Sequence, residues 1–222
     1  MNKYLAEGLG TFALVFCGTG AIVINQQSNG AVSHVGIAIT FGFIVMAMIY
    51  ALGDISGAHM NPAVTIAFTI AKRFQLKQVL PYIISQAAGA ILASVTLKFL
   101  FPTNETLGAT LPAGSEMQSF VLEFILTFFL MLVIINVATG SKEQGMFAGI
   151  AIGSTVLLEA MFAGPICGAS MNPIRSISPA VVSGHLEHLW LYIAAPIAGA
   201  AFAIPVCKLL HTKNKNNANS TL

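Results

Sequence analysis

Two asparagine–proline pairs stand in the same setting, Ser56-Gly57-Ala58-His59-Met60-Asn61-Pro62-Ala63 and Cys167-Gly168-Ala169-Ser170-Met171-Asn172-Pro173-Ile174. Each interrupts a hydrophobic stretch with a signal that starts a helix. Asn is a preferred N-cap, and Pro fits the first helical position because its missing N–H would be unpaired there anyway. A helix start carries unpaired N–H groups and the positive end of the peptide dipoles. Two starts meeting inside a membrane therefore make an electropositive spot that welcomes lone pairs and repels a cation or hydronium. Each Asn oxygen can cap its own helix, which leaves the side-chain NH₂ free to donate to something in the pore. Arg175, three residues after Asn172, places a permanent cation one turn into the second segment. At that depth a cation is costly and is a functional candidate by default. The competing reading, an Arg snorkelling to the surface or paired with Glu159 or Glu187, needs a path to water that only a cavity supplies so near the cap. The chemistry these residues suit is the passage of small uncharged hydroxylated solutes, with no carboxylate ring for cations.

The elements that must position them follow from composition. The chain is 56% hydrophobic and 8% charged, with mean hydropathy +0.81. Soluble domains carry about 25% charged residues, so this is an integral membrane protein with the lipid bilayer as its partner. A net charge of +2 and the absence of aromatic–basic interleaving argue against nucleic acid. Cys17, Cys167 and Cys207 lie in apolar segments and read as small buried hydrophobes rather than a disulfide framework. The first apolar run begins at Tyr4 and reads as a retained helix, not a signal peptide. About 20 apolar residues cross ~30 Å of hydrocarbon. Six runs qualify: 4–25, 33–53, 78–100, 117–139, 145–164 and 188–210. The shorter segments 61–71 and 172–182 reach only ~15–17 Å at the helical rise, so they read as half-helices.

The halves of the chain repeat. Glu7, Thr11 and Phe12 match Glu123, Thr127 and Phe128, and Gly36-Ile37-Ala38-Ile39 matches Gly149-Ile150-Ala151-Ile152. Tyr82-Ile83 and Gly89-Ala90 match Tyr192-Ile193 and Gly199-Ala200. Three crossings per half force the second half to enter from the opposite face, so the repeats are inverted and their half-helices meet near the midplane. The expected architecture is an all-α membrane protein of six transmembrane helices plus two re-entrant half-helices. Its single channel domain, 1–222, divides into repeat one (1–101), repeat two (117–210) and a disordered cytoplasmic tail (211–222). Lys3, Lys72, Arg73, Lys77, Lys142, Lys208, Lys213 and Lys215 fall on one side, which the positive-inside rule makes cytoplasmic along with both termini. The opposite side has only Lys98 near a helix end, with Glu105, Glu116 and Glu187 in its loops.

The paired Asn-Pro motifs, the following Arg, the repeated Glu and the six-plus-two pattern resemble the aquaporin, or major intrinsic protein, family over residues 4–210. Gly57-Ala58-His59-Met60-Asn61-Pro62-Ala63, Gly164-Pro165-Ile166-Cys167-Gly168-Ala169-Ser170-Met171-Asn172 and Tyr192-Ile193 look most like its nodulin-26-like branch. The resemblance implies a homotetramer with one pore per subunit, and a midplane formed by Asn61, Pro62, Ala63, Asn172, Pro173 and Ile174. It also implies a selectivity filter carried over by spacing to Phe41, Ala160, Ala169 and Arg175. Water-selective members usually have His at the position of Ala160. Methyl in place of imidazole widens the gap and removes a donor, which favours glycerol over strict water selectivity, while Arg175 can still donate to hydroxyl oxygens. The branch adds undissociated arsenous, boric or silicic acid as candidates. Ser176 stands where dedicated glycerol facilitators carry Asp, which keeps a water-selective pore open as the alternative.

Other residues carry two readings each. Glu7 and Glu123 suit either a proton relay or, as the resemblance implies, carboxylates that accept backbone N–H groups of the re-entrant loops. His59 orders its loop; no second His or Cys has ligand spacing, and neither metal nor cofactor is called for. Ile174, larger than the usual Ala, either tightens the midplane or packs against a neighbouring helix. Asp54 is a solvated mouth residue or an acidic gate. Glu159 points away from the lumen and is neutral or paired. Gly145, Gly149 and Gly153 form a stripe for close helix packing. A secondary transporter also uses inverted repeats and broken helices, but no acidic residue sits beside the half-helix starts to bind a coupling ion. Enzyme motifs are lacking. The short tails and simple loops point to a bacterial inner membrane.

Overall fold

The computed structural model describes residues 2–138 and 145–218, with side chains given to His211; Lys142 and the last four residues of the tail lie outside the described residues. Among the described residues eight helices follow one another: α1 (Asn2–Gln27), α2 (Ser33–Ser56), α3 (Pro62–Ile70), α4 (Leu76–Leu100), α5 (Glu116–Val137), α6 (Ala148–Cys167), α7 (Pro173–Ser183) and α8 (Leu189–Ala218). Six are long and apolar enough to cross a membrane, α8 through its Leu189–His211 portion. The others, α3 and α7, have 9 and 11 residues and so reach about 14 and 17 Å. The last helix continues past His211 to Ala218, over most of the segment read from sequence as a disordered tail.

One boundary moved for a clear reason. The fifth span was expected to end at 164, before Pro165, yet α6 continues to Cys167. Proline leaves the carbonyl four residues earlier without its helical donor. Here that carbonyl is Met161 O, and the His34 ring takes it through Nε2 at 2.7 Å. The helix then ends on Gly168 at φ 83°, whose N–H bonds Gly164 O.

Packing follows the repeat. A Cβ on Gly89 would lie 2.0 Å from Gly8 O, and one on Gly199 would lie 2.2 Å from Phe124 O. The equivalent pairs α1/α4 and α5/α8 thus cross backbone to backbone. Between the halves, Gly42 and Gly153 bring α2 against α6, each 2.6 Å from the other's carbonyl oxygen if given a Cβ. Gly149 accommodates the Tyr50 ring, whereas Gly145 has no described atom within 4 Å, so two of the three stripe glycines pack. Gly89→Ala is expected to destabilise the protein by about 3 kcal/mol, the upper range for overpacking against a backbone that cannot yield. Gly20→Ala, which meets only the tip of Leu97 at 3.4 Å, should leave the thermal unfolding midpoint in detergent near wild type.

Polarity is inverted relative to a protein in water. Leu5, Phe43, Phe99, Phe129, Leu158 and Phe202 are exposed on the outside, while Glu7, Gln86, Glu123 and Arg175 are buried. Only a lipid exterior makes that distribution favourable, because a buried charge or amide needs partners that hydrocarbon cannot supply.

Candidate functional site

The two re-entrant loops have the same backbone. After Gly57 (φ 85°) and Gly168 (φ 83°), Ala58 and Ala169 adopt φ 46° and 42°, and Met60 and Met171 adopt φ 50° and 53°. Each left-handed non-glycine residue costs about 1–3 kcal/mol and persists only where its surroundings over-determine it. Here two buried carboxylates do so. Glu7 accepts His59 N and Met60 N, each at 2.8 Å, on separate oxygens. Glu123 accepts Ser170 N at 2.7 Å and Met171 N at 2.8 Å in the same way. Across a planar trans peptide the carbonyl points opposite to the N–H. The carbonyls of Ala58, His59, Ala169 and Ser170 therefore turn away from the carboxylates, toward the cavity that these loops line. Neither Glu lines that cavity.

Both half-helices start as their sequences require. Asn61 and Asn172 are extended, at φ −155° and −150°, and Pro follows at the first helical position. Asn61 Oδ1 accepts Ala63 N at 2.9 Å, and Asn172 Oδ1 accepts Ile174 N at 3.2 Å. The side-chain amides were expected to be free for a solute. Instead Asn61 Nδ2 donates to Met171 O at 2.8 Å, and Asn172 Nδ2 donates to Met60 O at 2.9 Å. Each cap thus clasps the opposite loop, and each amide retains one N–H of its two. Pro62, Ala63, Pro173 and Ile174 are buried; Ile174 sits in the apolar core and does not line the cavity, which is the packing arrangement.

A cavity of about 850 Å³ runs from Tyr50, Asp54 and Met146 past Asn61 and Asn172 to Phe41, Ala169 and Arg175. At that far end the Arg175 guanidinium carbon lies 5.0 Å from the centre of the Phe41 ring. Arg175 is 2% exposed and donates from Nη1 to Gly108 O at 2.9 Å. It makes no ion pair with Glu159 or Glu187; among the described residues the close ionisable pair is His188–Glu116. Its Nε is buried and finds no protein acceptor among the described residues. The Phe41 ring fits because Gly18 faces it: a Cβ there would lie 2.2 Å from the ring edge. Ala160 is buried and does not line the cavity, although Ile152 and Val156, eight and four residues earlier on the same face of α6, do.

Some of these partners carry no signal in the amino-acid pattern. Gly108 and Thr110 belong to the 101–115 connection, yet that loop supplies the acceptor for Arg175. It is wedged against α1, where a Cβ on Gly108 would meet Thr19 at 2.9 Å. A lone glycine in a loop carries no spacing signal that could have singled it out. Behind the first loop, Gln86 donates to Glu7 Oε2 at 2.8 Å and Tyr82 to Ser56 O at 2.9 Å. His59 bonds Thr65 Oγ1 at 3.1 Å and stacks on Phe68 at 4.9 Å. Asp54 is exposed at the cavity mouth. Glu159 has a buried, unpartnered carboxylate oxygen outside the lining.

Six crossing helices around a lumen, interrupted at its middle by two capped half-helices, define a multi-pass membrane channel. The chain belongs to the major intrinsic protein family, whose model matches residues 1–206. It is 49% identical to "Aquaporin NIP1-1" of Oryza sativa subsp. japonica over 97% of this chain and 76% of that protein. To "Nodulin-26" of Glycine max it is 46% identical over 100% of this chain and 82% of that protein. Among solved structures, the aquaglyceroporin from Plasmodium falciparum matches with TM-score 0.79 and 26% identity, covering 94% of this chain and 98% of that one.

Proposed function

We propose that the protein is a passive channel for small neutral polyhydroxylated solutes, glycerol foremost, together with water, and that it excludes ions and protons. The observation that carries this reading is the far end of the cavity. There Phe41 supplies one apolar wall, the Arg175 guanidinium lies 5.0 Å from the ring centre at the cavity lining, and Ala169 presents only a methyl group. A polyol can lay its carbons on the ring while its hydroxyls accept from Arg175. The names of the relatives, an aquaglyceroporin among them, support the same solute class. Undissociated metalloid acids share the needed chemistry, being neutral and rich in hydroxyls. Beyond this gap the solute meets the Asn61 and Asn172 N–H groups and the carbonyl edges of both loops. The positive ends of α3 and α7 raise the barrier for cations there. The reading includes no covalent chemistry and no coupling ion.

In the proposed orientation the lysine-rich end, both termini and Asp54 face the cytoplasm, and the 101–115 loop is external. A homotetramer with one lumen per subunit is the proposed assembly. The relatives named above that carry the most identity are plant proteins, and they lend nothing to a bacterial inner membrane. Stopped-flow light scattering on proteoliposomes tests the function. Glycerol permeability is expected well above that of empty vesicles, with urea and water as comparisons. Acceleration of water alone would instead make the pore water-selective, and saturable gradient-coupled uptake would make it a transporter.

A further inference from the structure

Behind the filter lies a chain of hydroxyl groups whose direction can be worked out. Thr110 Oγ1 donates to Ser176 Oγ at 2.8 Å, Ser170 and Ser176 oxygens are 2.6 Å apart, and Ser170 Oγ donates to Asn172 O at 2.8 Å. Each hydroxyl has one proton. Thr110 has given its proton to Ser176, and Ser170 has given its own to Asn172 O, so Ser176 must be the donor in the central bond. The order is Thr110 to Ser176 to Ser170 to the Asn172 carbonyl, every hydroxyl donating once. All three side chains are buried.

The chain's position matters as much as its order. Ser170 adjoins Ala169, Ser176 adjoins Arg175, and Thr110 lies two residues from Gly108, whose carbonyl holds the guanidinium. The chain thus ties together the three backbone segments that carry one methyl wall, the arginine and the arginine's acceptor. Thr110 also packs over Gly168, where a Cβ would meet its methyl at 2.9 Å, and Ala113 N bonds Ile166 O at 2.9 Å just beyond. In the first half the corresponding positions, His59 and Thr65, bond each other at 3.1 Å, and Thr65 accepts from Gln86 rather than from a loop hydroxyl.

We infer that Thr110 and Ser176 are positioning residues that set the size cut-off of the channel by fixing the gap between Ala169 and Arg175 from behind, without touching the solute. The inference rests on the solute-channel reading above. Without the chain, the Gly108 carbonyl on Arg175 and the Ala113 N–H on Ile166 O remain but no side chain ties the loop to the Ser170 and Ser176 segments, and the guanidinium gains room to retreat.

The test compares permeabilities to glycerol and to the four-carbon polyol erythritol in proteoliposomes of wild type, Thr110→Val, Thr110→Ser, Ser176→Ala and the Thr110→Val/Ser176→Ala double variant. Thr110→Val keeps the shape and removes the donor. The erythritol-to-glycerol ratio is expected to rise about threefold or more in Thr110→Val and Ser176→Ala, as a loosened supporting contact relaxes a site's geometry. Thr110→Ser should restore the wild-type ratio, and the double variant should match Ser176→Ala, since both changes break one chain. A merely structural defect lowers all fluxes together and leaves the ratio alone. An unchanged ratio in folded Thr110→Val, with wild-type glycerol flux intact, overturns this inference only. Absence of glycerol flux in the wild type overturns the solute-channel reading, and this inference with it.

Discussion

Ala160→His is expected to cut glycerol permeability by about tenfold, a barrier increase of about 1.4 kcal/mol, while water permeability falls far less. Ala160 continues the face of α6 on which Ile152 and Val156 line the cavity, one turn beyond Val156. From that helical register an imidazole is expected to project toward the gap between Phe41 and Arg175. It takes up the space that a polyol's carbons need and offers a donor that a water molecule can use. Water, smaller and able to exchange hydrogen bonds with both His and Arg, retains a path. Stopped-flow shrinkage under glycerol and under an impermeant osmolyte reads the two separately. Equal loss of both fluxes would show that residue 160 acts on the fold, not on selection.

Glu123→Gln is expected to abolish a stable channel. Glu123 is buried, and its two oxygens accept the N–H groups of Ser170 and Met171. Gln keeps one acceptor, but its NH₂ then faces a second N–H, donor against donor. Bonds to a charged acceptor contribute about 1.5–3 kcal/mol each, and a buried unpaired N–H adds its own desolvation cost. A loss on the order of 3–5 kcal/mol is therefore expected from this single atom change. The left-handed residues Ala169 and Met171 would lose what holds them, and Asn61 would lose the placed Met171 carbonyl. Thermal unfolding in detergent reads the effect. A folded Glu123→Gln protein with normal glycerol flux and normal melting would refute the bracing role and reopen the proton-relay reading.

Much of the architecture was legible because it depends on local chemistry. Asn61 bonds Ala63 N and Asn172 bonds Ile174 N, two residues along the chain, so Asn-Pro marked each half-helix start without tertiary help. Span lengths followed from apolar runs, and the repeat followed from matched residues. Span ends were less secure. The fifth apolar run stops at 164, but the helix continues through Pro165 to Cys167, and a histidine from another helix caps the freed Met161 carbonyl. The carried-over filter positions came from resemblance rather than from any local rule. The structure brings Phe41, Ala169 and Arg175 to one end of the cavity and leaves Ala160 just outside it.

By itself the sequence determined where the two half-helices begin, how many helices cross, that the halves are inverted, and that two helix starts face each other. Those follow from groups a few residues apart and from the match between apolar length and bilayer thickness. Tertiary structure alone decided what the polar groups at the centre do. Asn61 and Asn172 spend one amide N–H each on carbonyls 110 and 112 residues away. Arg175 takes its acceptor from a loop 67 residues earlier. The physical reason is that in hydrocarbon every such group must find a protein partner. Which partner it finds depends on which backbones the glycine crossings bring within reach.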